Sequence, residues 1–308
     1  MVAKPALLTE ATEAMSLTLE AVGARSVACA SIEEKFVDVA GCRVRYLTGG
    51  RGPALLLVHG LLAYSFSWRF NLQALAQHAT VYAPDLPGMG FSQRVPNPAP
   101  GLAPTAEIIL DFMKTLGISS ASLLGSSHGG GAVLLAAPFA APQGIKIEKL
   151  ILVSPVNPWS LQGTHITDLL ATGWGAALFP PLSRLLTPLH GYFLRRLYGD
   201  PRQVTPETID GYSRGMRVAG TIEHCLARVK HWRQDLLAIE QALSRCPNVP
   251  VLLIWGDRDR AVYPSSAGTL LKHFPQGKLV TMRGAGHVPY EENPDEFNRI
   301  VLDFLAQS

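Results

Sequence analysis

Ala121-Ser122-Leu123-Leu124-Gly125-Ser126-Ser127-His128-Gly129-Gly130-Gly131 decides how this chain is read. The largely apolar run at 121–124 reads as a buried strand, and the run at 132–137 is compatible with a helix. The Gly-x-Ser-x-Gly at 125–129 is then a tight turn from strand to helix. A serine on such a turn is pushed into a strained backbone conformation, with its hydroxyl at the edge of the sheet. Glycines flank it because a Cβ at those positions would collide with the neighbouring strand and helix. Ser127 is therefore the candidate nucleophile. The five letters alone are served as well by a glycine-rich packing turn, so the rest of the chain must decide.

Outward from the turn, strands and helices alternate. Segments 36–39 and 43–46 flank Gly41 as a hairpin, and 54–58 is an unbroken apolar strand that ends at His59-Gly60. A helix is predicted over 68–77 and a buried strand over 80–83, which closes at Asp85-Leu86-Pro87-Gly88. After a proline-rich loop at 96–104 comes an amphipathic helix at 105–116. Strands follow at 150–153, 251–255 and 278–282, and a final helix at 294–306. Between 157 and 245 there are helical patches and no good strand. This pattern predicts an α/β fold: a mostly parallel open sheet covered by helices on both faces, with an inserted helical cap. The expected organisation is an N-terminal helical extension at 1–33, a core at 34–156 and 246–308, and a cap at 157–245. The amphipathic pattern at 5–24 could cover a site or mediate self-association, which would make a homodimer.

In open sheets of this kind ligands bind beyond the carboxyl ends of the strands, and the candidate chemistry falls there. A nucleophilic serine needs a base, and the base needs an orienting acid. His287, in Gly284-Ala285-Gly286-His287-Val288-Pro289, follows the strand at 278–282 and is the candidate base. Trp255-Gly256-Asp257-Arg258-Asp259-Arg260 follows the strand at 251–255 and offers two carboxylates, between which spacing does not choose. With His59-Gly60, Asp85-Leu86-Pro87-Gly88-Met89-Gly90, Gly125-Ser126-Ser127-His128-Gly129, Gly256-x-x-Asp259 and Gly286-His287, the chain resembles the α/β-hydrolase family in its capped branch, over about residues 34–306 except the cap. The resemblance implies the order Ser…Asp…His and makes Asp259, rather than Asp257, the acid. It also implies an oxyanion hole from the N–H groups of Leu61 and His128. His59 then supports the oxyanion loop, and Asp85 stabilises the Pro-Gly turn.

Composition narrows the rest. Of 308 residues 47% are hydrophobic and 17% charged, enough apolar material for a large core. A net charge of +3 without a basic tract argues against a nucleic-acid partner. The four cysteines show neither Cys-x-x-Cys nor zinc-finger spacing and read as reduced. No secretory pattern and no membrane-length apolar run is present, which points to a cytoplasmic protein without an integral membrane segment. No metal-ligand cluster and no dinucleotide fingerprint is visible, so no cofactor is expected. Serine at the elbow sets the chain apart from dehalogenases and epoxide hydrolases, which resemble it but use Asp. The expected activity is hydrolysis of a small-molecule ester, apolar or aromatic, through an acyl-enzyme. A carbon–carbon bond hydrolase of dienoates and a slowly hydrolysing small-molecule receptor are the alternatives. Most large apolar side chains of the cap are expected in its core. Leu62, Trp68, Trp159 and Val288 are the candidates for lining the substrate pocket.

Overall fold

The structure is a computed structural model that describes residues 30–160, 168–170, 172, 174–175, 178 and 189–307. The helix expected at 5–24 lies outside them. Eight strands form one sheet: β1 (Ile32–Val39), β2 (Cys42–Gly49), β3 (Ala54–Val58), β4 (Thr80–Pro84), β5 (Ser120–Ser126), β6 (Lys146–Val153), β7 (Val251–Gly256) and β8 (Gly277–Met282). Their order is β1-β2-β4-β3-β5-β6-β7-β8. The β1–β2 hairpin and the β2–β4 pair are antiparallel; every later pairing is parallel. The strand order reverses around β3, so chain connections leave that point in opposite directions, the position at which open sheets of this kind receive ligands.

Both faces of the sheet are buried, which explains the near-continuous apolar strands. The period of two along β3 sends Leu56 and Val58 to one core layer and Leu55 and Leu57 to the other. Helix α1 (Ala103–Thr115) and helix α2 (His128–Ala140) cover the first face with Ile109, Phe112, Val133 and Leu134. On the second, Leu72, Leu75, Phe297, Val301 and Phe304 pack under the sheet, the last three from the C-terminal helix Pro294–Leu305. The helix predicted at 68–77 is broken into a 3₁₀ turn, Ser65–Trp68, and one helical turn, Leu72–Leu75. Trp68 is fully buried beneath the sheet, its ring 4.6 Å from that of Tyr290.

Between β6 and β7 the described residues contain four helices of eight residues or more and no strand: α3 (His190–Leu197), α4 (Pro206–Met216), α5 (Thr221–Val229) and α6 (Trp232–Leu243). Helix α6 packs on α2, where Ile239 lies against Gly131. The expectation that the large apolar side chains of this insertion are core fails for Leu169, Trp174, Leu178, Tyr192 and Phe193, which are exposed. An amphipathic helix buries one stripe; on α3 that stripe is Gly191 and Leu194, which leaves Tyr192 and Phe193 outward. No helix among the described residues is long and apolar enough to cross a membrane.

Asp235 of α6 is buried where α6 meets the start of α1, and one of its oxygens accepts from Leu102 N–H at 3.0 Å. The other oxygen has no partner. Burial raises the carboxyl from its ordinary 3.8 to about 6. The folded chain therefore holds this proton more tightly than the unfolded chain. The resulting stability is fully present below the unfolded value and is lost as pH rises through about 6. Asp235→Asn keeps the acceptor and removes the charge. Its melting temperature should gain on the wild type by a few degrees between pH 4 and pH 8, measured by circular dichroism across that range. A constant difference would show that the carboxyl does not titrate there.

Candidate active site

Ser127 sits between β5 and α2 at φ 53°, ψ −120°, a conformation that is costly for a residue with a Cβ. Three backbone bonds hold it there. Its N–H donates to Val153 O at 2.9 Å, and its carbonyl accepts from Gly131 N at 3.1 Å and Val156 N at 3.0 Å. The flanking glycines are required by close backbone approach. A Cβ on Gly125 would lie 2.7 Å from Gly129 O, and one on Gly129 would lie 2.4 Å from His59 O and 2.5 Å from Val58 O. Since those atoms are backbone, Gly129→Ala should cost about 1–3 kcal/mol and lower the melting temperature by several degrees. A scanning-calorimetry profile matching the wild type would contradict this packing.

His287 follows β8 and Asp259 follows β7. The imidazole Nδ1 lies 2.8 Å from Asp259 Oδ2, and both side chains are buried. The other carboxylate oxygen accepts from Ala261 N at 2.8 Å and Val262 N at 3.0 Å, which fixes its orientation. Burial raises the Asp259 pKa, but the adjacent His287 and these donors outweigh burial and hold the carboxyl below its ordinary value. Asp257 is exposed and accepts from Gly284 N at 2.7 Å, so it ties down the loop that carries His287. Of the two carboxylates that spacing left open, Asp259 meets the imidazole and Asp257 does not. Ser127 stands at the carboxyl end of the same sheet and is partly exposed, but its hydroxyl makes no hydrogen bond to His287. Such contacts are often loose without substrate and tighten when it binds.

Leu61 follows the end of β3, and His128 opens α2. Neither backbone N–H bonds another described residue. His59 braces this corner. Its Nε2 accepts from Leu86 N at 2.9 Å and its Nδ1 lies 2.8 Å from Gly60 O, so Nδ1 carries the proton. Burial lowers its pKa to about 4, which keeps the ring neutral. The His128 imidazole is buried with both nitrogens unpartnered, and burial holds it well below the ordinary histidine value. Asp85 is a turn brace. It accepts from Ser65 N at 2.8 Å and Phe91 N at 2.9 Å and pairs with Arg45 at 3.0 Å.

The pocket candidates fare worse. Trp68 has no exposed surface and belongs to the core, so the expectation that it lines a pocket is corrected. Val288 is buried in the same layer, beside Tyr290 and Phe297. The Trp159 ring stacks on His273 at 4.9 Å. Of the four, Leu62, at φ 59° and 37% exposed, is the one with an exposed side chain.

Sequence reading missed the residues that lock the histidine loop to the insertion. His287 N donates to Leu197 O at 2.6 Å, and Glu292 accepts from both Gly286 N and Gly199 N at 2.7 Å. Glu291 is buried and pairs with Arg69 at 2.6 Å. It also accepts from Tyr198 at 2.6 Å and from Tyr212. The only sequence signal was two acids just after His287.

Comparison with known proteins matches residues 53–294 to the family model of the alpha/beta hydrolase fold. The chain belongs to the α/β-hydrolase family. A curated relative is the dihydrolipoyllysine-residue acetyltransferase component of the acetoin cleaving system of Cupriavidus necator. It is 31% identical over 281 residues, covering 88% of this chain and 69% of the relative. Among solved structures, Cfl2 of Burkholderia cenocepacia superposes with a TM-score of 0.77 at 22% identity, covering 91% of this chain and 97% of that one. The 2-hydroxy-6-oxo-6-phenylhexa-2,4-dienoate hydrolase of Rhodococcus sp. strain RHA1 gives 0.74 at 23%, covering 90% and 100%. At these identities the two structures bear on fold alone. In this α/β hydrolase, as in its sequence pattern, Ser127, Asp259 and His287 follow β5, β7 and β8 in turn.

Proposed function

We propose that this α/β hydrolase cleaves small apolar or aromatic carboxylic esters through an acyl-enzyme on Ser127. The observation that carries the reading is the buried Asp259–His287 pair at the strand-end edge where Ser127 is strained outward. Ser127 Oγ attacks the ester carbonyl carbon while His287 Nε2 takes its proton. Asp259 holds Nδ1–H and stabilises the imidazolium. The N–H groups of Leu61 and His128 receive the developing oxyanion. The tetrahedral intermediate collapses, the C–O bond to the alcohol breaks, and His287 gives its proton to the departing oxygen. Water then gives a proton to His287 and attacks the acyl carbon; the bond to Ser127 Oγ breaks, His287 returns its proton to Oγ, and the acid is freed. The helical insertion acts as the cap over the small-molecule substrate, and Leu62 lines the acyl pocket.

The acetyltransferase relative favours a second reading, in which the acyl group on Ser127 passes to a thiol instead of water. One kinetic series separates the readings: p-nitrophenyl esters of rising acyl length, each with and without dihydrolipoamide, and a 2-hydroxy-6-oxo dienoate alongside. Ester hydrolysis predicts steady turnover to free acid that the thiol leaves unchanged. Thioester accumulation would establish the transfer reading. Rapid dienoate cleavage with idle esters would establish carbon–carbon bond hydrolysis.

A further inference from the structure

Among the described residues of the insertion, Arg228 is a buried cation that no carboxylate pairs. Arg228, on α5, is 7% exposed. Its Nη1 donates to Thr105 Oγ1 and its Nη2 to the Pro87 carbonyl at 2.6 Å, while Nε is buried with no partner. A guanidinium has five N–H donors, so most of its capacity is unused. Among the described residues no carboxylate pairs with it. Its electrostatic neighbours are the thiols of Cys42 and Cys225, whose pKa values burial pushes upward, and the rings of His59, His128 and His224, whose pKa values burial and this guanidinium lower; all of these groups are neutral. A buried charge left unpaired is costly, and an anion brought beside it offsets part of that cost.

Arg228 lines a cleft of about 160 Å³ between the proline-rich loop after β4, the start of α1 and α5. Pro87, Val95, Pro98, Pro104 and Ile108 make its apolar walls. The other polar groups there are already committed. His224 Nε2 accepts from Val95 N at 3.2 Å, and its Nδ1 lies 2.9 Å from Gly220 O, which makes it a neutral ring. The Cys42 thiol faces Gln93 O at 3.7 Å. The cleft therefore offers a single fixed cation in apolar surroundings. Neither Ser127, His128 nor His287 lines it.

A guanidinium fork matches the two oxygens of a carboxylate. One cation neutralises one charge, and apolar walls favour an apolar body over a strongly hydrated dianion. The volume limits that body to a few heavy atoms or one ring. We propose that Arg228 and these walls form a binding site for a small monocarboxylate, separate from the site at Ser127.

Titration calorimetry of the full chain with benzoate, and with benzamide as the neutral control, tests this. Ala99 lines the mouth of the cleft and is exposed, so Ala99→Trp fills the opening without disturbing the core. Wild-type protein should bind benzoate with a Kd of about a millimolar or tighter and should ignore benzamide. Ala99→Trp should weaken benzoate by about fivefold or more with an unchanged far-ultraviolet circular dichroism spectrum and melting temperature, and Arg228→Met should weaken it at least as much. If Arg228→Met does not fold, Ala99→Trp decides alone. Absence of benzoate binding to wild type, equal binding of benzamide, or benzoate binding unaffected in Ala99→Trp would each overturn the site. Because the readout is heat of binding, it stands or falls independently of ester hydrolysis.

Discussion

Ser127→Ala lowers kcat toward short p-nitrophenyl esters by about a thousandfold or more, with the melting temperature changed by no more than a few degrees. The size of the loss follows from the chemistry. Without Oγ no acyl-enzyme forms, and only the oxyanion donors and substrate binding continue to favour attack by water. The fold tolerates the change because Ser127 is held by its backbone, through Val153, Gly131 and Val156, and not by its side chain. Steady-state kinetics beside a thermal melt checks both halves. Retention of more than about a tenth of wild-type kcat would remove Ser127 from the reaction.

The second large effect separates two acids that sit two residues apart. Asp259→Asn should lower kcat by about a hundredfold to ten-thousandfold, whereas Asp257→Asn should change it by less than about threefold. Asp259 Oδ2 is the acceptor beside His287 Nδ1, so it favours the tautomer with the proton on Nδ1 and the lone pair on Nε2. An amide there can donate to Nδ1 and stabilise the wrong tautomer. The Asp257 side chain accepts from the backbone of Gly284, a contact that asparagine can keep. The paired measurement is decisive: a larger loss for Asp257→Asn would contradict the assignment of the acid. His287→Ala should fall with Ser127→Ala rather than add to it, since the two act as one unit.

Much of this architecture was legible in the residues because its determinants are local. Strands buried on both faces leave unbroken apolar runs such as Ala54–Val58, and the elbow glycines announce a close backbone approach that the Cβ distances at Gly125 and Gly129 bear out. The choice between Asp257 and Asp259 was not legible from spacing alone. Both lie on one turn, and what separates them is burial, created by a loop that arrives from β8. Trp68 was misread for a related reason. A tryptophan eight residues after Gly60 can face either a pocket or a core, and its neighbour Tyr290 is more than two hundred positions away. The Glu291 network joins Arg69, Tyr198 and Tyr212 from three separate elements, and no sequence period encodes such a convergence. The unpaired state of Arg228 was equally hidden, because a missing carboxylate can be seen only once the neighbours are in place.

The most direct test of the serine mechanism is intact and peptide mass spectrometry after brief reaction with a fluorophosphonate or a slowly released aryl ester. The mechanism predicts one added group per chain, located on the peptide that carries Ser127 and absent from Ser127→Ala. Full esterase turnover with Ser127 unmodified, or labelling confined to another residue, would contradict it.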